Sequence, residues 1–212
     1  MSLKIYEIFH SLQGETSRIG LPTVFVRLTG CPMRCTYCDT EYAFSGGGFM
    51  EISEILQKVA DFGAHFVTVT GGEPLAQKEC YELLKTLCDA GYSVSLETGG
   101  ARDIAPVDAR VSVILDIKTP ASNEEKNMLW GNVDHIKPKD EIKFVLCNRA
   151  DYDWAKAKMV ELNLTQKCPI LFSPSYHDLP ANDLATWVLA DKLPVRMQIQ
   201  LHKILWGEKK GV

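Results

Sequence analysis

No stretch of the 212-residue chain approaches the roughly 20 consecutive apolar residues that a membrane-spanning helix needs, which argues against a helical membrane span. The first residues, Met1 to Glu7, lack the basic-then-apolar order of a secretory signal. A basic excess is also missing. With 23 Lys and Arg against 27 Asp and Glu the net charge is −4, so no broad positive field is available for sequence-independent nucleic-acid binding. The seven cysteines are odd in number, three of them crowded between Cys31 and Cys38 and four scattered, which is not the layout of a disulfide framework. No linker-like tract, repeat or low-complexity segment divides residues 1–212, so they are read as one domain. A cytoplasmic globular protein is expected.

What is present is an alternation of strand and helix patterns. After a short apolar segment from Ile5 to Phe9, the β-branched and aromatic run Thr23 to Thr29, bounded by Pro22 and Gly30, predicts a strand. A glycine-rich turn at Ser45 to Gly48 leads into a helical face of Ile52, Ile55, Leu56, Val59 and Phe62 that Gly63 stops. Further strands are expected at Phe66 to Thr70, Tyr92 to Glu97, Val111 to Lys118, Ile142 to Cys147, Cys168 to Ser173 and Val195 to Gln200. Helices are expected from Cys80 to Gly91, Tyr152 to Leu162 and Asn182 to Ala190, with at most a short one near Ser122 and Glu125, which have capping-box spacing. Strands at these intervals imply right-handed crossovers around a parallel sheet. Too few full helices intervene for a closed eight-fold barrel. The expected fold is therefore α/β, an open partial parallel barrel of about six βα-type units, with functional groups at the carboxyl ends of its strands.

The chemistry concentrates in Gly30-Cys31-Pro32-Met33-Arg34-Cys35-Thr36-Tyr37-Cys38-Asp39, where three thiols at CxxxCxxC follow a strand. Three sulfurs on one loop suit a metal centre, and the missing fourth ligand is informative, since structural zinc takes four. Two readings stay open: a distant fourth ligand such as His65, giving a zinc-stabilised binding module, or a position left free for a ligand. Cys80, Cys88, Cys147 and Cys168 read instead as small buried hydrophobes. Gly71-Gly72-Glu73-Pro74 follows the next strand and lacks the Gly-Lys-Ser/Thr of a phosphate loop.

CxxxCxxC with Tyr37 before its last cysteine, followed one crossover later by Gly-Gly-Glu-Pro, resembles the radical S-adenosylmethionine superfamily. The resemblance implies that Cys31, Cys35 and Cys38 hold a 4Fe-4S cluster whose fourth iron is chelated by S-adenosylmethionine, yielding a 5′-deoxyadenosyl radical on reduction. Tyr37, Cys38 and Asp39 would then contact that cofactor, and Gly72 with Glu73 would clamp its methionyl amine. The strand ends Glu97-Thr98-Gly99-Gly100 and Asp116-Ile117-Lys118 would line the same cleft, with Ser173 at the adenosine. Asp116 with Lys118 is otherwise an ordinary charge pair.

The narrower resemblance is to the 7-carboxy-7-deazaguanine synthase family. It rests on Ile8 to Glu15, Phe25 to Cys31, Cys38-Asp39-Thr40, Glu97-Thr98-Gly99, Asp116-Ile117-Lys118 and Gln200 to Gly207. It implies a small pterin substrate, 6-carboxy-5,6,7,8-tetrahydropterin, ring-contracted with loss of ammonia. Leu12, Gln13, Gly14 and Glu15 would recognise the pterin, Arg27 its carboxylate, Thr40 a magnesium ion, and Thr70 and His202 further substrate groups. An electron donor such as a flavodoxin and a homodimer are also implied. Plainer roles stand beside two of these: Arg27 as a surface ion pair and His202 as an interface histidine. A glycyl-radical-activating enzyme is the alternative within the superfamily, and the Ser-Leu-Gln-Gly-Glu segment argues against it.

Overall fold

A computed structural model describes residues 1–212. A nine-stranded sheet runs through the molecule in the order β3-β1-β2-β4-β5-β6-β7-β8-β9. β1 (Ser2–Leu12) lies antiparallel to both β2 (Pro22–Leu28) and β3 (Gly48–Glu51). From β2 onward the pairing is parallel, through β4 (Phe66–Gly71), β5 (Ser93–Thr98), β6 (Ser112–Asp116), β7 (Glu141–Leu146), β8 (Ile170–Pro174) and β9 (Arg196–Met197). β3 and β9 are free edges, so the sheet is open. The crossovers carry α1 (Ile52–Asp61), α2 (Cys80–Asp89), α3 (Arg149–Glu161) and α4 (Ala181–Asp191). No α-helix joins β5 to β6 or β6 to β7, and short 3-10 turns between Pro120 and His135 fill the latter connection.

The apolar faces chosen by sequence periodicity enter the core except at Phe62, which follows the last turn of α1 and stays exposed. Ile55 and Val59 of α1 and Cys80, Leu83, Leu84 and Leu87 of α2 are buried in one cluster with Val67, Val69, Leu96, Leu115 and Phe144 of the strands. Cys147 and Cys168 are buried as well, while Cys88 is half-buried against the same cluster.

Several elements differ from their sequence reading. β1 is a full strand rather than a short apolar segment. β3 extends the glycine-rich turn into an edge strand of which only Met50 is half-buried, so it carries no apolar alternation to reveal it. α3 starts three residues early because the Asn148 side chain accepts from the Asp151 N–H at 3.0 Å and caps it. Ser122 forms no capping box; its hydroxyl accepts from the Glu124 N–H at 3.0 Å. The strand expected over Val195 to Gln200 pairs only at Arg196 and Met197, after which the chain turns into α5 (Leu201–Trp206), too short for a helical period to show.

Candidate active site

The carboxyl ends of the parallel strands open on one cavity of about 580 Å³. The cysteine loop enters it from β2 and is seated by the turn after β4. There the N–H of Glu73 donates to Gly30 O at 2.9 Å and that of Gly72 to Leu28 O at 3.2 Å. A Cβ on Gly72 would stand 2.3 Å from Gly30 O, so the turn approaches this closely only as glycine. Met33 packs its methyl group against Gly99, and the far side is tied by Arg34 N–H to Glu124 Oε1 at 2.7 Å and Thr36 Oγ1 to Ala121 O at 2.8 Å. The glycines thus accommodate the loop before they accommodate any ligand.

Cys31, Cys35 and Cys38 are half-buried, free thiols in the cavity wall. Burial pushes each thiol up, and the Lys118 ammonium pulls in the other direction. His65, the fourth ligand the zinc reading needed, immediately precedes β4 and so sits at the opposite, amino end of the strands. Two buried polar atoms in the same wall have no partner in the protein, the Tyr37 hydroxyl and Asp116 Oδ1, while Asp116 Oδ2 accepts from Lys118 Nζ at 2.8 Å. Orphaned donors and acceptors beside three thiols fit a cluster with a polar organic cofactor.

Of the residues expected to contact the cofactor, Tyr37, Asp39, Gly72, Thr98, Asp116, Lys118 and Ser173 line the cavity. Glu73 and Ile117 do not; both are fully buried behind it. Glu73 accepts from Thr98 Oγ1, Gly99 N–H and Leu75 N–H at 2.9 to 3.1 Å, so its carboxylate braces the turn. Burial pushes that carboxyl up, and these hydrogen bonds oppose the shift.

The substrate candidates Leu12, Gln13, Gly14, Glu15, Arg27, Thr70 and His202 line the same cavity. The Gln13 side chain is engaged within the protein: its Oε1 accepts from the N–H of Gly14 (2.7 Å) and Glu15 (2.9 Å), and its Nε2 donates to Glu97 Oε1 at 3.1 Å. Thr70 Oγ1 donates to the other oxygen of Glu97 at 3.4 Å. Glu15 pairs with Lys143, accepts from Gln200 Nε2 at 3.0 Å and has His202 Nδ1 at 3.7 Å. Burial opposes ionisation of Glu15, yet Lys143 and His202 outweigh it and draw the carboxyl down to about 2. Glu97, more weakly compensated, is pushed up by burial. Lys143 is held above the usual lysine range: burial opposes its charge, but Glu15, Asp116 and Glu97 surround it.

Lys143 escaped the sequence reading, although a lone lysine in the otherwise apolar run Ile142 to Leu146 is a signal, since buried parallel strands seldom carry one without a partner. Gln200 entered the sequence reading at a strand end and in the Gln200 to Gly207 segment, without a role of its own. Arg27 does form an ion pair, with Glu7, but inside the cavity wall rather than on the surface. Thr40 Oγ1 donates to Asp39 Oδ1 at 2.8 Å, and one ligand atom each from Glu15, Asp39 and His202 falls within 4.8 Å of the others, a grouping that could hold a metal ion.

Comparison with known proteins agrees with this geometry. The radical SAM superfamily model matches residues 25–155. The 7-carboxy-7-deazaguanine synthase of Chlorobaculum tepidum is 45% identical over 99% of this chain and 97% of its own, and that of Koribacter versatilis is 42% identical over 99% and 100%. The crystal structure of QueE from Escherichia coli superimposes with a TM-score of 0.80 at 22% identity over 94% of both chains, which establishes a shared fold. The chain belongs to the radical S-adenosylmethionine superfamily and, within it, to the 7-carboxy-7-deazaguanine synthase family.

Proposed function

We infer that this chain converts 6-carboxy-5,6,7,8-tetrahydropterin to 7-carboxy-7-deazaguanine with loss of ammonia, a carbon–nitrogen lyase step of queuosine and 7-deazapurine biosynthesis. The observation that carries the reading is that one cavity holds both the three-thiol loop and the Gln13–Glu15 segment with Arg27, in a chain matched end to end by relatives of that name.

Cys31, Cys35 and Cys38 would hold the 4Fe-4S cluster, and Tyr37, Asp39, Gly72, Thr98, Asp116, Lys118 and Ser173 would contact S-adenosylmethionine. When bound, these groups supply the carbon radical that takes a hydrogen atom from the pterin. The protein's own residues bind, orient and shield. Glu15 stays ionised beside Lys143 and presents an acceptor to the N–H edge of the heterocycle, while the backbone of Leu12 and Gly14 borders it. Arg27 meets the carboxylate. Phe9 and Phe25, stacked with ring centroids 5.0 Å apart, line the cavity beside Arg27 and exclude water there.

Magnesium at Thr40 belongs to the same reading, supported by the neighbouring Asp39, Glu15 and His202, and would orient the substrate. So do a flavodoxin-like electron donor, a cytoplasmic location and a homodimer. No helix is long and apolar enough to cross a membrane, and Ile204, Leu205 and Trp206 of α5 expose apolar surface that a second copy would cover.

The test is anaerobic incubation of the reconstituted, reduced protein with S-adenosylmethionine, magnesium and 6-carboxytetrahydropterin, followed by mass spectrometry. Formation of the deazapurine without stoichiometric consumption of S-adenosylmethionine is expected. Cofactor cleavage with intact pterin would overturn the substrate assignment and leave the superfamily chemistry standing.

A further inference from the structure

The Arg27 guanidinium is held by one residue that the functional reading does not use. The ladder between β1 and β2 is irregular between Ile5 and Glu7, and beyond that step Glu7 stands opposite Arg27. Glu7 Oε1 accepts from Arg27 Nε at 2.8 Å and from the Tyr42 hydroxyl at 3.1 Å. The two charged side chains are largely covered, 14% and 22% exposed, and the guanidinium lies over the rings of Phe9 and Tyr42 with its carbon 5.6 and 5.8 Å from their centroids.

A guanidinium offers a carboxylate two edges, the Nε side and the end formed by its two terminal nitrogens. Glu7 occupies the first. Both terminal nitrogens are without a hydrogen-bond partner in the protein, and Arg27 lines the cavity. We propose that Glu7 is the positioning residue for substrate recognition: by holding Nε it fixes the plane of the Arg27 guanidinium and leaves only the terminal fork to receive the carboxylate of the pterin. Tyr42, four residues beyond Cys38 in the same connection, steadies Glu7 from the cysteine-loop side, so the carboxylate site and the cluster loop share an anchor. This rests on the reading of Arg27 as the carboxylate ligand.

The opposing effect is electrostatic. The negative charge of Glu7 partly neutralises Arg27, so if charge mattered more than orientation its removal would tighten anion binding. The experiment therefore measures anaerobic equilibrium binding of 6-carboxytetrahydropterin and of 6-methyltetrahydropterin, which lacks the carboxylate, to the reconstituted enzyme and to Glu7→Ala, Glu7→Gln, Arg27→Ala and the Glu7→Ala/Arg27→Ala double variant. Glu7→Ala should weaken the carboxylated pterin by about tenfold or more. The methyl analogue should bind to it as to the unaltered enzyme. Glu7→Gln, which keeps an acceptor at Oε1, should recover most of the loss, and the double variant should bind no more weakly than Arg27→Ala. Unchanged or tighter binding of the carboxylated pterin to Glu7→Ala, or equal weakening of both pterins, would overturn the positioning role while selectivity lost in Arg27→Ala kept the Arg27 reading intact. Full selectivity in Arg27→Ala would overturn both. Thermal melting of each variant separates lost binding from lost folding, and Glu7→Gln supplies the test if Glu7→Ala does not fold.

Discussion

Glu15 and Lys143 come from segments more than a hundred positions apart, and each makes the other tolerable inside the cavity wall. Glu15 has its folded value depressed from an ordinary 4.5 to about 2, so its contribution to stability is complete above about pH 4.5 and is lost as the pH falls towards 2. Urea unfolding across that window should show this acid limb. In Lys143→Met the carboxyl loses its principal counter-charge, the limb should flatten, and stability at neutral pH should fall by about 3–5 kcal/mol because a buried charge is left alone. Thr40 makes a separate prediction: Thr40→Ala should raise the magnesium concentration needed for half-maximal activity by about tenfold or more, read from activity against added magnesium. Replacing any one of Cys31, Cys35 and Cys38 by Ala should reduce product formation to background together with bound iron, whereas Cys88→Ala, far from the loop in sequence and packed on α2, should retain both.

Among the elements, the turn after β4 shows how glycine acts here. A Cβ on Gly72 meets backbone, Gly30 O, at 2.3 Å, whereas one on Gly99 meets the terminal methyl of Met33 at 2.2 Å, which can swing aside. Gly72→Ala should therefore cost more than Gly99→Ala, about 1–3 kcal/mol by melting, and should lower iron retention because the cysteine loop no longer seats. The long elements α1, α2 and the strands from β4 to β8 were legible because their apolar periods are uninterrupted. β3 and α5 were not, since an exposed edge strand and a six-residue helix bury too little to leave a pattern. The short β9 had the opposite fault: its alternation promised a longer strand, but its pairing register ends at Met197, and the Gln198 side chain then donates from Nε2 to Thr16 O.

At the scale of the molecule, seven parallel strands carry their loops to one end of an open sheet, which is why loops distant in sequence share one cavity. The C-terminal segment completes that cavity: the Leu201 N–H donates to Gly14 O at 3.3 Å, and Gln200 bridges Glu15 and Asp39. The apolar side chains that α5 leaves exposed are the basis of the expected dimer. Light scattering should give a species of twice 23.7 kDa, and Trp206→Asp with Leu205→Asp should shift it towards the monomer.

The sequence by itself determined the alternating α/β plan and a three-thiol loop suited to a metal centre, and the resemblance of its motifs to a known superfamily supplied the class of chemistry. Three thiols at fixed spacing and apolar periods of two and 3.6 are local properties, readable wherever the residues stand next to one another in the chain. Only the tertiary structure decided which side chains face the cavity. Glu73 and Ile117 turn behind its wall, while Lys143, Glu97 and Glu7 take up roles beside Glu15, Gln13 and Arg27. Those pairings are set by strand register and by a single irregularity in β1, and the free energy of each buried charge depends on a partner that sequence distance does not reveal.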